Sequence, residues 1–350
     1  MDTGKRIDDR YTVIRPIAKG GNGLVLLVKE DQTGEQRALK VLSVTTEGVA
    51  ERLIQEGQIQ ARLDHPNIVK MVDALQVDGK PAVVMEFVEG PSLYQYLADT
   101  KPSLEQAESI FCDMLSAIHY AHQMGLIHRD IKPANVMLES SENGFRAKLT
   151  DFGFAKVLDD FQGVQSASQT KTGMALGTPM YMAPEQMDCA KYVEPLVDVF
   201  SLGCILYELV CGKRAFYGRN GFAVMARARE GMYDDPREIA KGLPERFYRT
   251  IEGALQPDQA QRIQSCYALG EVFLEDPTRV KQVFASQDTP LQSESVEQNP
   301  AQENSSQAKK QESQTYLIAI VVCILVVAVL CTSSAICGGG MSLISVLRMG

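Results

Sequence analysis

Polar side chains that could bind a charged ligand are concentrated in one short segment, His128–Asn135. It contains Asp130, Lys132 and Asn135, and a further carboxylate, Asp151, follows a short apolar run. Carboxylate and amide oxygens are hard ligands that suit Mg²⁺. An isolated Asp or Asn in a loop more often makes a turn through its own hydrogen bonds. The four residues together, in this order, make turn formation a poor explanation.

A second candidate segment is a glycine-rich loop between two predicted strands. Backbone N–H groups in such a loop can approach phosphate oxygens closely. A loop of this kind alone is a weak signal, but the run Arg37–Lys40 follows it on the next predicted strand. The loop and its flanks comprise Ile17, Ala18, Lys19, Gly20, Gly21, Asn22, Gly23, Leu24 and Val25.

These motifs resemble those of the eukaryotic-like protein kinases. His128–Asn135 is similar to the catalytic loop of that family, and Asp151-Phe152-Gly153 to its metal-binding motif. The segment Gly177–Gln186 is similar to the bacterial serine/threonine branch. The resemblance covers about residues 11–284 and implies an α+β bilobal fold, with a β-rich N-lobe (11–88) that carries one main helix and a larger helical C-lobe (89–284).

The resemblance implies binding of ATP with Mg²⁺ or Mn²⁺ and transfer of the γ-phosphoryl group to Ser or Thr of protein substrates. Asp130 would accept the proton of the substrate hydroxyl and orient that hydroxyl. Lys132 would stabilise charge near the γ-phosphate. Asn135 and Asp151 would ligate the metal.

Two further phosphate-site residues are implied by the same resemblance. Lys40 would bind the α and β phosphates, and Glu56, inside a predicted helix, would pair with Lys40. A surface lysine and an exposed helical glutamate are the usual readings of such residues. Only their order and spacing favour the functional assignment.

Adenine requires an apolar slot with backbone hydrogen-bonding groups. By resemblance Val25 and Ala38 form its roof, Met137 forms its floor and Met85 is the gatekeeper residue. The hinge Glu86–Val88 would offer the backbone partners. Without the motifs, ordinary core packing would be the better interpretation of the apolar residues.

Ala18 departs from the family pattern, which has the first glycine of G-x-G-x-x-G at this place. If φ were positive there, the Cβ would strain the turn by about 1 kcal/mol and weaken ATP affinity by about tenfold. We expect this to weaken activity without abolishing it.

Several residues are expected to hold the site rather than to react. Asp198 lies in a very apolar predicted helix, so it must find donors, and in the family this residue anchors the backbone of the catalytic loop. Glu185 and Arg262 match the ion pair that ties the activation segment to the C-lobe. Thr178 would contact Lys132.

The segment between Asp151 and Glu185 has the small and polar composition of a mobile loop. We predict regulatory phosphorylation at Thr170 and Thr172, because a phosphate can bind a guanidinium through strong hydrogen bonds. Arg129 would supply that guanidinium. A plain polar surface loop is the alternative.

Composition excludes some classes of function. A net charge of -9 and a pI near 5.1 argue against a general nucleic-acid binder. The eight cysteines form no CxxC pair, which favours reduced thiols in the cytosol. The segment Met1–Arg10 lacks the apolar stretch of a signal peptide, so we expect the folded part to stay in the cytosol.

Residue patterns predict the main elements. Strands are predicted over Tyr11–Ile17, Leu24–Lys29, Arg37–Val44, Met71–Val77 and Ala82–Val88. Helices are predicted over Val49–Leu63, from a capping box at Ser103 to Gly125, and over Val197–Val210, which should stop at Gly212.

The C-terminal part is expected to anchor the chain on a membrane. Residues 286–315 are polar and predict a disordered linker. Tyr316–Cys337 carries no charge over 22 residues and predicts one transmembrane helix. A tail, 338–350, would follow. A buried strand or core helix is the alternative for the apolar run.

Three function classes compete. An active serine/threonine kinase is favoured over a pseudokinase scaffold, because the groups that pseudokinases lack (Lys40, Asp130 and Asp151) are all present. A tyrosine kinase would usually replace Lys132. The expected topology is single-pass with the kinase domain in the cytoplasm, and homodimers would serve autophosphorylation in trans.

Overall fold

The structure is a computed structural model. It describes residues 2–20, 23–43, 63–141, 144–152, 179–188 and 193–285. No helix within these ranges combines the length and the apolar character needed to cross a membrane. Several predictions lie outside the described residues: Glu56 and its helix apart from Leu63, Gly21, Asn22, Thr170, Thr172, Thr178, the linker 286–315, the apolar run Tyr316–Cys337 and the tail 338–350.

The N-lobe is built on an antiparallel sheet of six strands in the order β1-β2-β3-β4-β6-β5. Its alternating apolar residues give the sheet two buried faces. The strands are β1 Arg6–Ile7, β2 Tyr11–Gly20, β3 Gly23–Glu30, β4 Gln36–Leu42, β5 Met71–Val77 and β6 Lys80–Glu86.

The alternation of side chains along β4 decides on which face of the sheet Lys40 lies. Leu39 and Val41 pack into the cluster on one face of the sheet. Ala38 and Leu42 pack on the opposite face with Met85. Because side chains two residues apart point the same way, Lys40 shares the second face.

The predicted strands exist, but some of their bounds were wrong. The strand predicted over Ala82–Val88 spans Lys80–Glu86, because Phe87 and Val88 leave the sheet toward the C-lobe. β4 ends at Leu42 rather than Val44. The additional strand Arg6–Ile7 is too short and polar to give a periodic signal, and it pairs with Tyr11 and Thr12.

The C-lobe is helical around one apolar core. Its long helix α2 begins with the predicted capping box, in which Ser103 and Gln106 bond reciprocally, and Gly125 follows it with φ of 74°. The helices are α1 Leu93–Asp99, α2 Leu104–Gln123, α3 Pro184–Asp188, α4 Leu196–Cys211, α5 Gly221–Arg229, α6 Pro236–Ile239, α7 Glu245–Ala254, α8 Cys266–Leu274 and α9 Pro277–Phe284.

Helix α4 forms the centre of this core, as its all-round apolar sequence predicts. Fifteen of its sixteen residues are buried, and it stops at Gly212 in the left-handed conformation. The helix therefore offers a rigid, dry support for whatever its first turn contacts.

A hairpin of β7 (Val136–Ser141) and β8 (Gly144–Leu149) directly follows the segment His128–Asn135. A short 3₁₀ turn over Pro133–Asn135 leads into β7. Gly90 lets the chain after β6 pass against this hairpin, since a Cβ there would lie 1.9 Å from the Leu138 carbonyl oxygen. The hairpin connects Asn135 to Asp151 through one pair of strands.

Candidate active site

Asp198, in the first turn of α4, holds the backbone at the start of the segment His128–Asn135. Its carboxylate accepts hydrogen bonds from the N–H groups of His128 (2.8 Å) and Arg129 (2.9 Å). His122 Nε2 lies 2.8 Å away and donates to the same carboxylate. Burial opposes ionisation of Asp198, but these donors, His122 foremost, hold its pKa below the ordinary value. Asp198 therefore stays an acceptor and fixes the loop.

Two site residues have left-handed backbone, with φ of 67° at Arg129 and 68° at Asp151. Such a conformation costs about 1–2 kcal/mol for a residue with a Cβ and persists only where the surroundings impose it. The Arg129 carbonyl accepts from Gln186 Nε2 at 2.9 Å. Next to Asp151, the Thr150 carbonyl accepts from His128 Nε2 at 3.0 Å. These bonds fix the strained turns that aim the catalytic side chains.

Asp130 lies at the centre of a small polar cluster. Lys132 Nζ donates to both of its carboxylate oxygens, at 2.9 and 2.7 Å. Asn135 Nδ2 donates to the Asp130 carbonyl oxygen at 2.8 Å and to Oδ2 at 3.0 Å. Since the amide nitrogen of Asn135 is the donor in both bonds, its Oδ1 is the atom suited to bind a metal.

Lys40 and Asp151 join the two lobes. Lys40 Nζ donates to Asp151 Oδ2 at 2.5 Å, and both side chains are largely buried. The pair places an ammonium group and a hard oxygen ligand side by side in the cleft. This juxtaposition suits an anionic ligand that carries a divalent cation.

Three of the residues predicted to surround adenine share one apolar cluster. Val25 packs against the cluster that contains Ala38 and Met85. Met137 lies on β7, opposite Lys148, and is not part of that cluster. The Glu86 N–H donates to the Lys70 carbonyl at 2.9 Å, so this amide of the predicted hinge already has a backbone partner.

The glycine-rich segment is the β2–β3 hairpin, which pairs Ala18 with Val25 and Gly20 with Gly23. Ala18 is an extended residue of β2 and does not have positive φ, so the strain expected from its Cβ is absent. The glycine that the backbone requires is Gly23. Its φ is 144°, and a Cβ there would lie 2.1 Å from the Val41 carbonyl oxygen.

The segment 179–188, which contains Glu185, is tied to the C-lobe by Arg262. The guanidinium bonds both carboxylate oxygens, at 2.6 and 3.0 Å, and also the Leu196 carbonyl at 2.9 Å. It lies over the Phe200 ring and is almost fully buried. A bidentate pair with this support fixes the segment in one position.

Comparisons with known proteins agree with this geometry. The protein kinase domain family matches residues 11–274. The chain is 36% identical over 215 residues to serine/threonine-protein kinase pkn2 of Myxococcus xanthus. This alignment covers 61% of this chain and 25% of pkn2. It is 32% identical over 262 residues to serine/threonine-protein kinase PknJ of Mycobacterium tuberculosis, an alignment that covers 73% of this chain and 43% of PknJ. The chain belongs to the protein kinase family.

A solved structure supports the same assignment. The kinase domain of Mycobacterium tuberculosis PknI, as a double mutant, superimposes with a TM-score of 0.61 at 26% identity, covering 79% of this chain and 98% of that one. The chain spans only a quarter of pkn2 and less than half of PknJ. By its family and these relatives, its domain is a protein serine/threonine kinase.

Two residues of the kinase site were not identified from the sequence. His122 lies in the last turn of α2, outside every motif named above, and its ring donates to Asp198. Gln186, the last residue of the Gly177–Gln186 motif, donates to the Arg129 carbonyl. The available signal was polarity on a buried face, because a buried polar side chain needs a partner.

The donor set fits the Mg²⁺ or Mn²⁺ and ATP that the kinase family uses. Among the described residues, no group of three or more His, Cys, Asp or Glu side chains could enclose a metal by itself. Mg²⁺ bound with nucleotide takes one or two protein ligands and completes its shell with phosphate and water oxygens. The Asp151 carboxylate and Asn135 Oδ1 would be these two protein ligands, and the Lys40 ammonium group would bind phosphate.

Proposed function

We propose that this chain is a membrane-anchored serine/threonine kinase that transfers the γ-phosphoryl group of ATP to cytosolic proteins. Two hydrogen-bonded pairs carry the proposal, Lys40 with Asp151 and Asn135 with Asp130. The Thr150 N–H, next to Asp151, donates to the Asn135 carbonyl at 3.0 Å and joins the two pairs. Phosphoryl transfer needs positioning and charge neutralisation more than covalent chemistry, and these four side chains supply both. Adenine would lie against Val25 and Ala38.

Each side chain has a defined task in this reaction. As the oxygen of the substrate hydroxyl attacks the γ-phosphorus, the bond between that phosphorus and the bridging oxygen breaks and ADP leaves. An Asp130 carboxylate oxygen would accept the proton of the hydroxyl. Lys132, already bonded to Asp130, is placed to stabilise charge on the transferred group. A bound divalent ion would neutralise phosphate charge, and Asp151 and Asn135 would hold it. Lys40 would orient the α and β phosphates.

The experiment is to incubate the full chain with γ-labelled ATP and Mg²⁺ or Mn²⁺, alone and with a cell lysate, and to identify the labelled amino acids. Label on phosphoserine and phosphothreonine is the expected result. Label on phosphotyrosine only would favour the tyrosine kinase class. Nucleotide binding without any transfer would favour the pseudokinase scaffold.

Membrane anchoring is proposed on the apolar run Tyr316–Cys337, which lies outside the described residues. The need for ATP places the kinase domain on the cytoplasmic side. Lys309 and Lys310 before the run, against Arg348 after it, bias the charge in the same direction.

Autophosphorylation of Thr170 and Thr172, in trans within a homodimer, is proposed as the activating step. The support is the polar composition of their segment and the guanidinium of Arg129, which adjoins Asp130. Mass spectrometry of the active chain should find phosphate on these threonines, and the Thr170→Ala/Thr172→Ala variant should lose most activity. Undiminished activity of the double variant would refute the switch.

A further inference from the structure

Helix α9, the last one described, is linked through Ser116 of α2 to the loop 65–69, which bonds the end of β8. The Ser116 hydroxyl on α2 donates to the Val283 carbonyl of α9 at 2.7 Å. His65 Nε2 lies 3.2 Å from the same hydroxyl oxygen. The last carbonyls of a helix have no partner within it, so Ser116 satisfies one of them. His65 and Ser116 are both buried.

The hydrogen bonds that run from Val283 through Ser116 and His65 to Asn67 form a relay. Their directions follow from which atoms can donate a proton. The Asn67 N–H donates to His65 Nδ1 at 3.1 Å, so Nδ1 is an acceptor. The Ser116 proton goes to the Val283 carbonyl, so Ser116 Oγ must accept from His65 Nε2–H. One tautomer of His65 therefore satisfies all three bonds. Burial lowers the pKa of His65 to about 4, consistent with a neutral ring at physiological pH.

The relay continues from Asn67 into β8. The Leu149 N–H donates to the Asn67 carbonyl at 2.8 Å, and Asn67 Nδ2 donates to the Ala147 carbonyl at 3.0 Å. The Val69 N–H returns a bond to the Leu149 carbonyl at 2.8 Å. Leu149 ends β8 two residues before Asp151, so the loop that contains His65 sets the position of the strand from which Asp151 projects.

We propose that His65 and Ser116 are positioning residues for phosphoryl transfer, and that they transmit the position of α9 to Asp151 through this relay. The proposal deepens and rests on the proposed kinase function. Residues that act on a site through packed and hydrogen-bonded neighbours typically change its energetics enough to alter a rate by about 2- to 30-fold.

The test uses the full chain and two relay variants. Ser116→Ala removes the central hydroxyl. His65→Asn keeps an acceptor near the place of Nδ1 but removes the donor to Ser116, and it serves if Ser116→Ala fails to fold. Thr250→Val is the matched control, because the buried Thr250 hydroxyl donates to the Arg246 carbonyl (2.6 Å) within α7, and Arg246 is not a residue of the relay.

Hydrogen–deuterium exchange is measured first without nucleotide. Faster exchange across residues 144–152 in both relay variants, with no change in Thr250→Val, is the expected result. The kcat of both relay variants should fall about three- to tenfold, while the KM for a protein substrate stays constant. Equal exchange in this segment for the relay variants and the control would overturn the proposal.

Linkage gives a reciprocal test with MgADP as the probe. If α9 is coupled to Asp151, MgADP should slow exchange across residues 277–285 in the wild type but not in Ser116→Ala. Equal slowing in both would contradict the relay. Failure of the wild type to bind MgADP would count against the kinase function alone. The exchange measured without nucleotide would still show whether the relay positions residues 144–152.

Discussion

At the scale of single residues, two carboxylates of the C-lobe, Asp198 and Asp113, have surroundings that shift the pKa in opposite directions. Asp198 has three donors and its pKa is lowered. Asp113 on α2 accepts from the Ala147 N–H at 2.8 Å, and burial raises its pKa to about 6. The difference shows that the donors, and not depth alone, decide whether a buried carboxylate stays ionised.

Asp113 gives a prediction about pH. Its folded pKa, about 6, exceeds the value of 3.8 for a free side chain, so the folded state binds the proton more tightly. The stability it contributes is fully present below pH 3.8 and is lost as the pH rises through about 6. The loss is on the order of 3 kcal/mol.

The measurement is denaturant unfolding of the wild type and of Asp113→Asn between pH 4.5 and 7.5. The variant keeps an acceptor for the Ala147 N–H but does not titrate. Relative to the variant, the wild type should lose stability as the pH rises. A constant difference across this range would contradict the raised pKa.

The residues of the motifs could be found from the sequence, because their types and order are specific. The interactions of His122 and Gln186 could not, since each depends on contacts between segments distant in the chain. The strain considered at Ala18 required a positive φ, which sequence spacing does not report. Ala18 does not have one, and the residue that needs to be glycine is Gly23.

At the scale of elements, local signals predicted α2 and α4 well. The Ser103 capping box, Gly125 and Gly212 mark helix ends through local bonds and backbone freedom, which depend on few distant contacts. Strand ends were less well predicted. Where β6 ends is decided by pairing with β4 and β5, and β1 is a strand only because Tyr11 and Thr12 pair with it.

The β2–β3 hairpin provides a prediction with an internal control. In Gly23→Ala the Cβ would clash with the Val41 carbonyl, and we expect the free energy of unfolding to fall by about 2–4 kcal/mol. In Gly20→Ala the Cβ meets open space without positive φ, and the change should stay within about 0.5 kcal/mol. Denaturant unfolding measures both, and similar values for the two variants would refute the assignment.

At the scale of the whole molecule, the bilobal fold followed from the resemblance more than from residue patterns. The order of sheet and helices was visible in the sequence, since the five predicted strands lie before residue 89 and two of the three predicted helices lie after it. The meeting of Lys40 with Asp151 was not, because it joins residues of different lobes and no local pattern encodes that approach. The membrane segment stays a prediction from composition.

Membrane attachment is tested by fractionation. We expect the full chain to stay in the membrane pellet after alkaline carbonate extraction, because about twenty apolar residues suffice to span the hydrocarbon core. A variant that lacks residues 316–337 should be released and keep its kinase activity. Release of the full chain by carbonate would exclude a transmembrane anchor.

The most direct measurement of the proposed mechanism is the turnover of γ-labelled ATP by the full chain and by Lys40→Met, Asp130→Asn and Asp151→Asn. Each variant removes a charge or ligand needed in the transition state, so each should transfer less than a few per cent of the wild-type amount while keeping its fold by circular dichroism. A correctly folded Asp130→Asn protein with near wild-type turnover would contradict the assignment of the catalytic site.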